Sequence, residues 1–297
     1  TLAYKQPLHG LVRRLGWDDV YAGLRLAMAS FVVLPLLPDR PLDPWGALNP
    51  WKLWLLVILI SSLSLVGYVA TRWLGSGRGA VVTGLTGGLV SSTAVTLSFA
   101  RDSRKRVADA APLAAGILLA WAVMFARVRL IVAAVDRALL MPLVLPMLTM
   151  GAGCALVALV WLRGSLAPAE ATVPMGTVPL ENPFSLLAAA RFAAFFAVVL
   201  LLVAVARAEL PAQGVLIVAA LAGLTDVDAI TLSMAGAVAD AGVATAVTAI
   251  VVACLANTAV KTVLTAVLGA PGLRWRVLAG ALVIAALGAG VLALGRG

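Results

Sequence analysis

The run from about residue 215 to 239 is apolar except for a few hydroxyls and two carboxylates, Asp226 and Asp228. No other stretch limits the fold as much. An ionised side chain at the centre of a bilayer costs roughly 2.5 to 3.5 kcal/mol on insertion scales, so the pair needs several kcal/mol of compensation. Two residues apart, the carboxylates lie about 200° apart around an α-helix, and a regular helix cannot turn both to one side. Gly223, Thr225 and the Asp-x-Asp therefore predict a locally unwound span lining a polar cavity, where irregular backbone is tolerated at membrane depth.

The premise that this run lies in lipid comes from composition: 63% hydrophobic and 12% charged residues with a mean hydropathy of +1.07. A water-soluble fold is excluded. The net charge of +9 does not point to nucleic acid, because the basic residues sit in short clusters beside apolar runs, as orientation signals do. Cys154 and Cys254 each stand alone in an apolar run and read as packing residues, and His9 is the only histidine, so a His-based metal site or triad is unsupported.

The acidic phrase has a neutral twin. Residues 88–100 align with 223–235 at an offset of 135, with seven of thirteen positions identical. Ser91 and Thr93 stand where Asp226 and Asp228 stand in the second copy. Duplication with a midplane site between the copies is the plan of many secondary transporters.

Nine apolar runs, 22–37, 51–74, 80–100, 108–125, 139–162, 184–206, 215–239, 243–268 and 277–294, predict an all-α polytopic bundle of about nine spans. Residues 1–21 read as an interfacial N-terminal segment, 22–163 as the first span plus repeat one, 164–183 as a Pro-rich linker and 184–297 as repeat two. Gly87, Gly88 and Gly223 are the expected helix breaks, with close helix packing as their alternative role. Arg127 and Arg129 read as snorkelling to an interface. Repeats of four spans each would be parallel; one re-entrant glycine-broken element would make them inverted. Basic residues place the N-terminus in the cytoplasm of a bacterial-type inner membrane, with the loop at 101–106 in disagreement.

A second intramembrane charge, Lys261, needs a partner, and Asp226 or Asp228 is the expected one; Asn257, one turn earlier, shares its face. Thr225, Asp226, Asp228, Thr231, Ser233, Asn257 and Lys261 would then form the site, completed from the other copy by Ser91, Ser92, Thr93 and Thr96. These hard oxygens suit Na⁺, H⁺ or Mg²⁺, with Asp226 and Asp228 as the metal-binding candidates and no other cofactor implied. The bland alternative is a buried structural ion pair among Asp226, Asp228 and Lys261.

The runs Leu48-Asn-Pro-Trp-Lys-Leu-Trp, Gly-Leu-Thr-Gly-Gly-Leu-Val-Ser-Ser-Thr-Ala-Val-Thr and Gly-Leu-Thr-Asp-Val-Asp-Ala-Ile-Thr resemble domain of unknown function 4010. This bacterial and archaeal membrane domain is often fused behind an MgtC/SapB-type domain. The resemblance covers nearly the whole chain and implies a partner MgtC-like portion ahead of Thr1, in keeping with a start that lacks methionine. It carries no substrate and no catalytic residue.

The sequence thus predicts an ion-coupled secondary transporter or cation transporter, not an enzyme, embedded in the lipid bilayer and a candidate homo-oligomer. The alternative is a regulatory or scaffolding membrane protein of the MgtC-associated type. Ser91 or Ser92 acting as a nucleophile with Lys261 as base is a distant third.

Overall fold

The structure, a computed structural model, describes residues 17–74, 79–164, 186–209 and 212–294. The expected interfacial segment falls mostly, and the expected linker almost wholly, outside the described residues. Among these residues all regular structure is helical. Helix α1 (Trp17–Met28) continues through a π-helical turn, Ala29–Val33; α2 is Pro50–Leu74, α3 Gly79–Lys105, α4 Ala110–Val135, α5 Leu140–Arg163 and α6 Leu186–Glu209. There follow α7 (Ala212–Thr225), α8 (Val227–Gly236), α9 (Val243–Leu268) and α10 (Pro271–Leu294).

Five segments are long and apolar enough to cross a bilayer, at 79–105, 107–135, 137–163, 243–268 and 271–294, and shorter apolar helices lie at 20–36, 50–62, 193–206, 214–225 and 227–236. Such a chain is a multi-span membrane protein candidate. Its outward faces suit lipid: Met141, Leu145, Leu148, Leu156 and Val160 on α5 are all exposed, and the core beneath them is built from side chains such as Trp121, Phe99, Phe125 and Ile131. Cys154 and Cys254 are fully buried within that core. Nine spans were expected, but the 215–239 run is not one helix. It is α7 and α8, parted at Asp226.

Helix α3 has length enough to cross, yet it folds back on itself. Its one non-helical residue is Ser91, at φ −160° and ψ 108°. On the α4 side, the Ala80 carbonyl and the Phe99 ring both crowd Gly116, within 2.6 and 2.5 Å of where its Cβ would be. In a straight helix residues nineteen apart are separated by about 28 Å. A Cβ on Gly87 would likewise lie 2.7 Å from Val95 Cγ2. Limb 79–90 runs parallel to α4, pairing Gly84 with Gly116 and Gly88 with Ala120, and limb 92–105 runs antiparallel, with Phe99 at Gly116 and Thr96 at Trp121.

The α7–α8 pair folds the same way. The end of α8 (Leu232 to Gly236) shares a cavity wall with Leu200, Val203 and Ala204 near the end of α6, and α7 begins three residues after α6 ends. Both ends of the pair therefore lie at one end of the bundle, whereas a straight helix over 212–236 would separate them by about 36 Å. A glycine in the left-handed region, Gly242 at φ 79°, makes the turn into α9.

Two ends of the bundle can be distinguished by what meets there. At one, Ser103 Oγ accepts from the Ala270 amide at 2.8 Å, Arg104 donates to the Val267 carbonyl at 2.8 Å, and Arg276 stacks 5.7 Å over the Trp161 ring. At the other, Asn49, Lys52, Asp136, Ala204 and Gly236 surround a cavity of about 710 Å³. The two folded-back elements enter from opposite ends, and their tips meet in between.

Candidate functional site

Each tip is a helix interruption with its backbone groups satisfied locally. At Ser91 the chain turns extended, and Ser91 Oγ accepts the Ala94 amide at 3.2 Å. At Asp226 the backbone is again extended, φ −152° and ψ 130°, and Asp226 Oδ1 accepts the Asp228 amide at 2.7 Å. Both side chains are N-caps of the returning limb, a role for which Ser and Asp are well suited. The breaks expected at Gly87, Gly88 and Gly223 fall instead three residues after Gly88 and Gly223, because a capping oxygen starts the second limb. The glycines serve close packing: a Cβ on Gly88 would lie 2.8 Å from Ala120 Cα, and one on Gly223 2.6 Å from Ala253 Cα.

The carbonyls left open where each first limb ends are met by side chains of the next helix. Asn257 on α9 donates from Nδ2 to the Gly223 carbonyl at 2.8 Å. Arg127 on α4 donates from one terminal nitrogen to the carbonyls of Leu89 at 3.1 Å and Val90 at 3.3 Å. Freed backbone groups at membrane depth need such partners.

Arg127 also reaches the other tip. Its Nε donates to Asp228 Oδ1 at 3.3 Å, and its second terminal nitrogen forms an ion pair with Asp228 Oδ2. Only 13% of the Arg127 side chain and 4% of Asp228 are exposed, so this is a buried pair and not a snorkelling arginine. An apolar run cut at residue 125 predicts Arg127 near an interface; α4 instead continues unbroken to Val135 and carries it inside.

Lys261 was expected to pair with Asp226 or Asp228. It is buried, 1% exposed, and its Nζ instead donates to Ser92 Oγ at 2.8 Å and lies 2.9 Å from Met124 Sδ. Arg127 occupies the acidic partner that Lys261 was expected to take. The cations cross over: Arg127, on the helix after the first tip, holds Asp228 of the second, and Lys261, on the helix after the second, holds Ser92 of the first.

A cavity of about 340 Å³ lies between the tips. Ser91, Ser92 and Thr93 line it from one, Thr225, Asp226 and Asp228 from the other, and Arg127 and Asn257 from behind. Asp226 is the half-buried carboxylate, Asp228 the ion-paired one. Four expected residues do not line it: Lys261, held by Ser92 behind the first tip, and Thr96, Thr231 and Ser233. Thr96 is spent on structure, donating to the Ser92 carbonyl at 2.8 Å and accepting from Trp121 Nε1 at 3.0 Å. Thr231 is buried in the core, and Ser233 borders the 710 Å³ cavity at the far end of α8. Among the described residues no cluster of three His, Cys, Asp or Glu side chains could hold a metal ion.

Arg127 is the residue that sequence reasoning misplaced, and a signal for it existed. It stands 134 positions before Lys261, within one residue of the offset that relates the two phrases.

A protein from Aquifex aeolicus (strain VF5), described as uncharacterized, is 31% identical over 156 residues, covering 52% of this chain and 66% of that relative, just under two thirds of its length. No solved structure matches the chain. The family model described as "Domain of unknown function (DUF4010)" matches residues 58–269, which contain both tips, α4, α9 and every residue lining the cavity between them. With more than half of its length matched, the chain belongs to the DUF4010 family.

Proposed function

We propose that the chain is an ion-coupled membrane transporter whose site is the cavity between the two tips, with Asp226 as the carboxylate that takes the cation or proton. One observation carries the reading: two capped helix breaks, entering from opposite ends, meet at a polar cavity lined by a half-buried carboxylate and an arginine. Paired broken helices at the midplane suit transport because their half-helix ends and freed carbonyls bind charged groups without dedicated cofactors. Ser91, Thr93, Thr225 and Asn257 are the neutral groups of the site, and Na⁺, H⁺ and Mg²⁺ are the candidate ions.

In this reading the two halves are inverted repeats. Each consists of one crossing (α2 or α6), one re-entrant element (α3 or α7–α8) and two more crossings (α4 and α5, or α9 and α10). An odd number of crossings per unit inverts the second copy. Contacts support it: the C-terminal ends of α3 and α9 meet at Ser103 and Ala270, so α9 runs opposite to its counterpart α4. The arrangement also removes the disagreement over residues 101–106. Arg101, Arg104, Lys105, Arg106, Arg163 and Arg274 then share the end nearest the start of α1, against Arg40, Lys52, Arg137 and Arg207 at the other, which makes the basic end cytoplasmic. The 710 Å³ cavity, at the opposite end of α8, lies on the outer side in this reading.

The test is flux in proteoliposomes against a panel of Na⁺, H⁺ and Mg²⁺ gradients. Native protein should move at least one ion, and Asp226→Asn, which keeps the capping oxygen, should abolish the movement while leaving the protein folded. Unchanged flux in Asp226→Asn, or none in native protein, overturns the proposal.

A further inference from the structure

Arg127 sits among oxygens in the manner of a bound cation. Its guanidinium is held by both carboxylate oxygens of Asp228 and by the carbonyls of Leu89 and Val90. Those carbonyls end the limb 79–90, where the helix dipole places partial negative charge. One carboxylate with a set of carbonyl oxygens is also the ligand chemistry of a hard, dehydrated cation. The oxygens come from both tips, so whatever fills this position bridges them.

We infer that these four oxygens form a site for a monovalent cation and that Arg127 is its tethered occupant, displaced when a free cation binds. The inference rests on the transport reading above and deepens it: a cation at Asp228 sends Arg127 to Asp226, so the guanidinium competes with the ion at each carboxylate in turn. Charge decides the class of ligand. Asp228 supplies one negative charge, which one monovalent cation neutralises as Arg127 does; a divalent ion would leave the cavity positive with Arg127 still in it. The displaced guanidinium has an acceptor at hand, because Asp226 lines the same cavity. Binding at Asp228 would thus send Arg127 towards Asp226, and the bridge between the tips would be remade on one side as it is broken on the other. Lys261 does not compete for the site, since its ammonium is spent on Ser92 and packed against Met124.

The experiment measures cation binding and needs no flux. Purified Arg127→Ala is titrated with guanidinium chloride at millimolar concentration and with NaCl, KCl and MgCl₂, reading Tm and calorimetric heat, beside native protein. The expected result is saturable binding of guanidinium or a monovalent metal ion about tenfold tighter or more than in native protein, with Tm rising as the site fills. The double variant Arg127→Ala/Asp228→Asn should lose it. Equal binding in native and Arg127→Ala protein, binding only of Mg²⁺, or binding that survives in the double variant each overturns the inference. Where Arg127→Ala yields no folded protein, Arg127→Gln, which removes the charge and keeps a polar side chain, takes its place. Failure of both to fold in any of these salts also overturns it, because a free cation should replace a tethered one. Native flux without cation binding in the variants would sink this inference alone, and absent flux with binding intact would sink the transport reading alone.

Discussion

Ser91 and Asp226 stand 135 residues apart and do the same thing: each leaves the helix in an extended conformation, and each caps the limb that returns with its own side-chain oxygen. One is neutral and the other ionisable, so the pair gives two tips of similar backbone and different charge. Removing a cap oxygen should therefore cost stability at either tip. Ser91→Ala should lose about 0.5 to 2 kcal/mol, whereas Ser91→Asn should stay close to native, because Asn also caps. Denaturant melts in detergent check both, and equal stability of Ser91→Ala and native protein would remove the capping role.

The glycines carry a different load. A Cβ on Gly223 would meet the Ala253 carbonyl oxygen at 2.5 Å and its Cα at 2.6 Å, both backbone atoms of α9 that have little room to shift. Gly223→Val should cost about 1 to 3 kcal/mol through overpacking. Gly236→Ala, where nothing lies within 4 Å, should be close to neutral, and the pair compared by thermal unfolding separates a packing role from a general need for glycine.

The backbone plan was more legible in the sequence than the wiring of its charges. The two phrases, their offset and the need for a break at an Asp-x-Asp in lipid all follow from residue type and period, and the structure has a fold-back in each. The break's exact residue was not legible from the glycines, since glycine permits a bend but a capping oxygen fixes where the next helix starts. Arg127 was misread because an arginine near the end of an apolar run looks interfacial when the run is cut at the first charge; its partners lie 37, 38 and 101 positions away and leave no local trace. Lys261 was paired by nearness in sequence to the carboxylates, while its hydroxyl partner, Ser92, is 169 positions away.

Outside the bundle, Asp43 organises the loop ahead of α2 by accepting the amides of Trp45 and Ala47, each at 3.1 Å, and of Leu48. Burial opposes its ionised form, but the amides outweigh that and hold its carboxyl below the usual carboxylate value. A folded-state pKa below the unfolded one gives stability that is full above the unfolded value, about 3.9, and is lost as pH falls through the lower folded value. The loop should thus hold its structure at neutral pH and open only in acid below about pH 4. Trp45 fluorescence followed by pH checks this. Asp43→Ala should show the acid form at all pH values, and a native transition above pH 5 would contradict the amide account.

The buried charges give the sharpest comparison, because Arg127 faces a carboxylate and Lys261 faces neutral groups. Arg127→Met or Asp228→Asn alone should destabilise by roughly 3 to 5 kcal/mol, since each strands the other's charge in a low-dielectric interior. The double variant should recover much of that loss, and a double-mutant cycle on denaturant melts measures the coupling. Lys261→Met should cost less, about 1.5 kcal/mol or under, because it removes an ammonium whose partners, Ser92 and Met124, need no counter-charge and fills nearly the same volume. Had Lys261 been the carboxylates' partner, as its position in the sequence suggests, the order would be reversed, with Lys261→Met as damaging as Asp228→Asn and Arg127→Met mild. The ranking of the three single variants decides which cation holds the acidic tip.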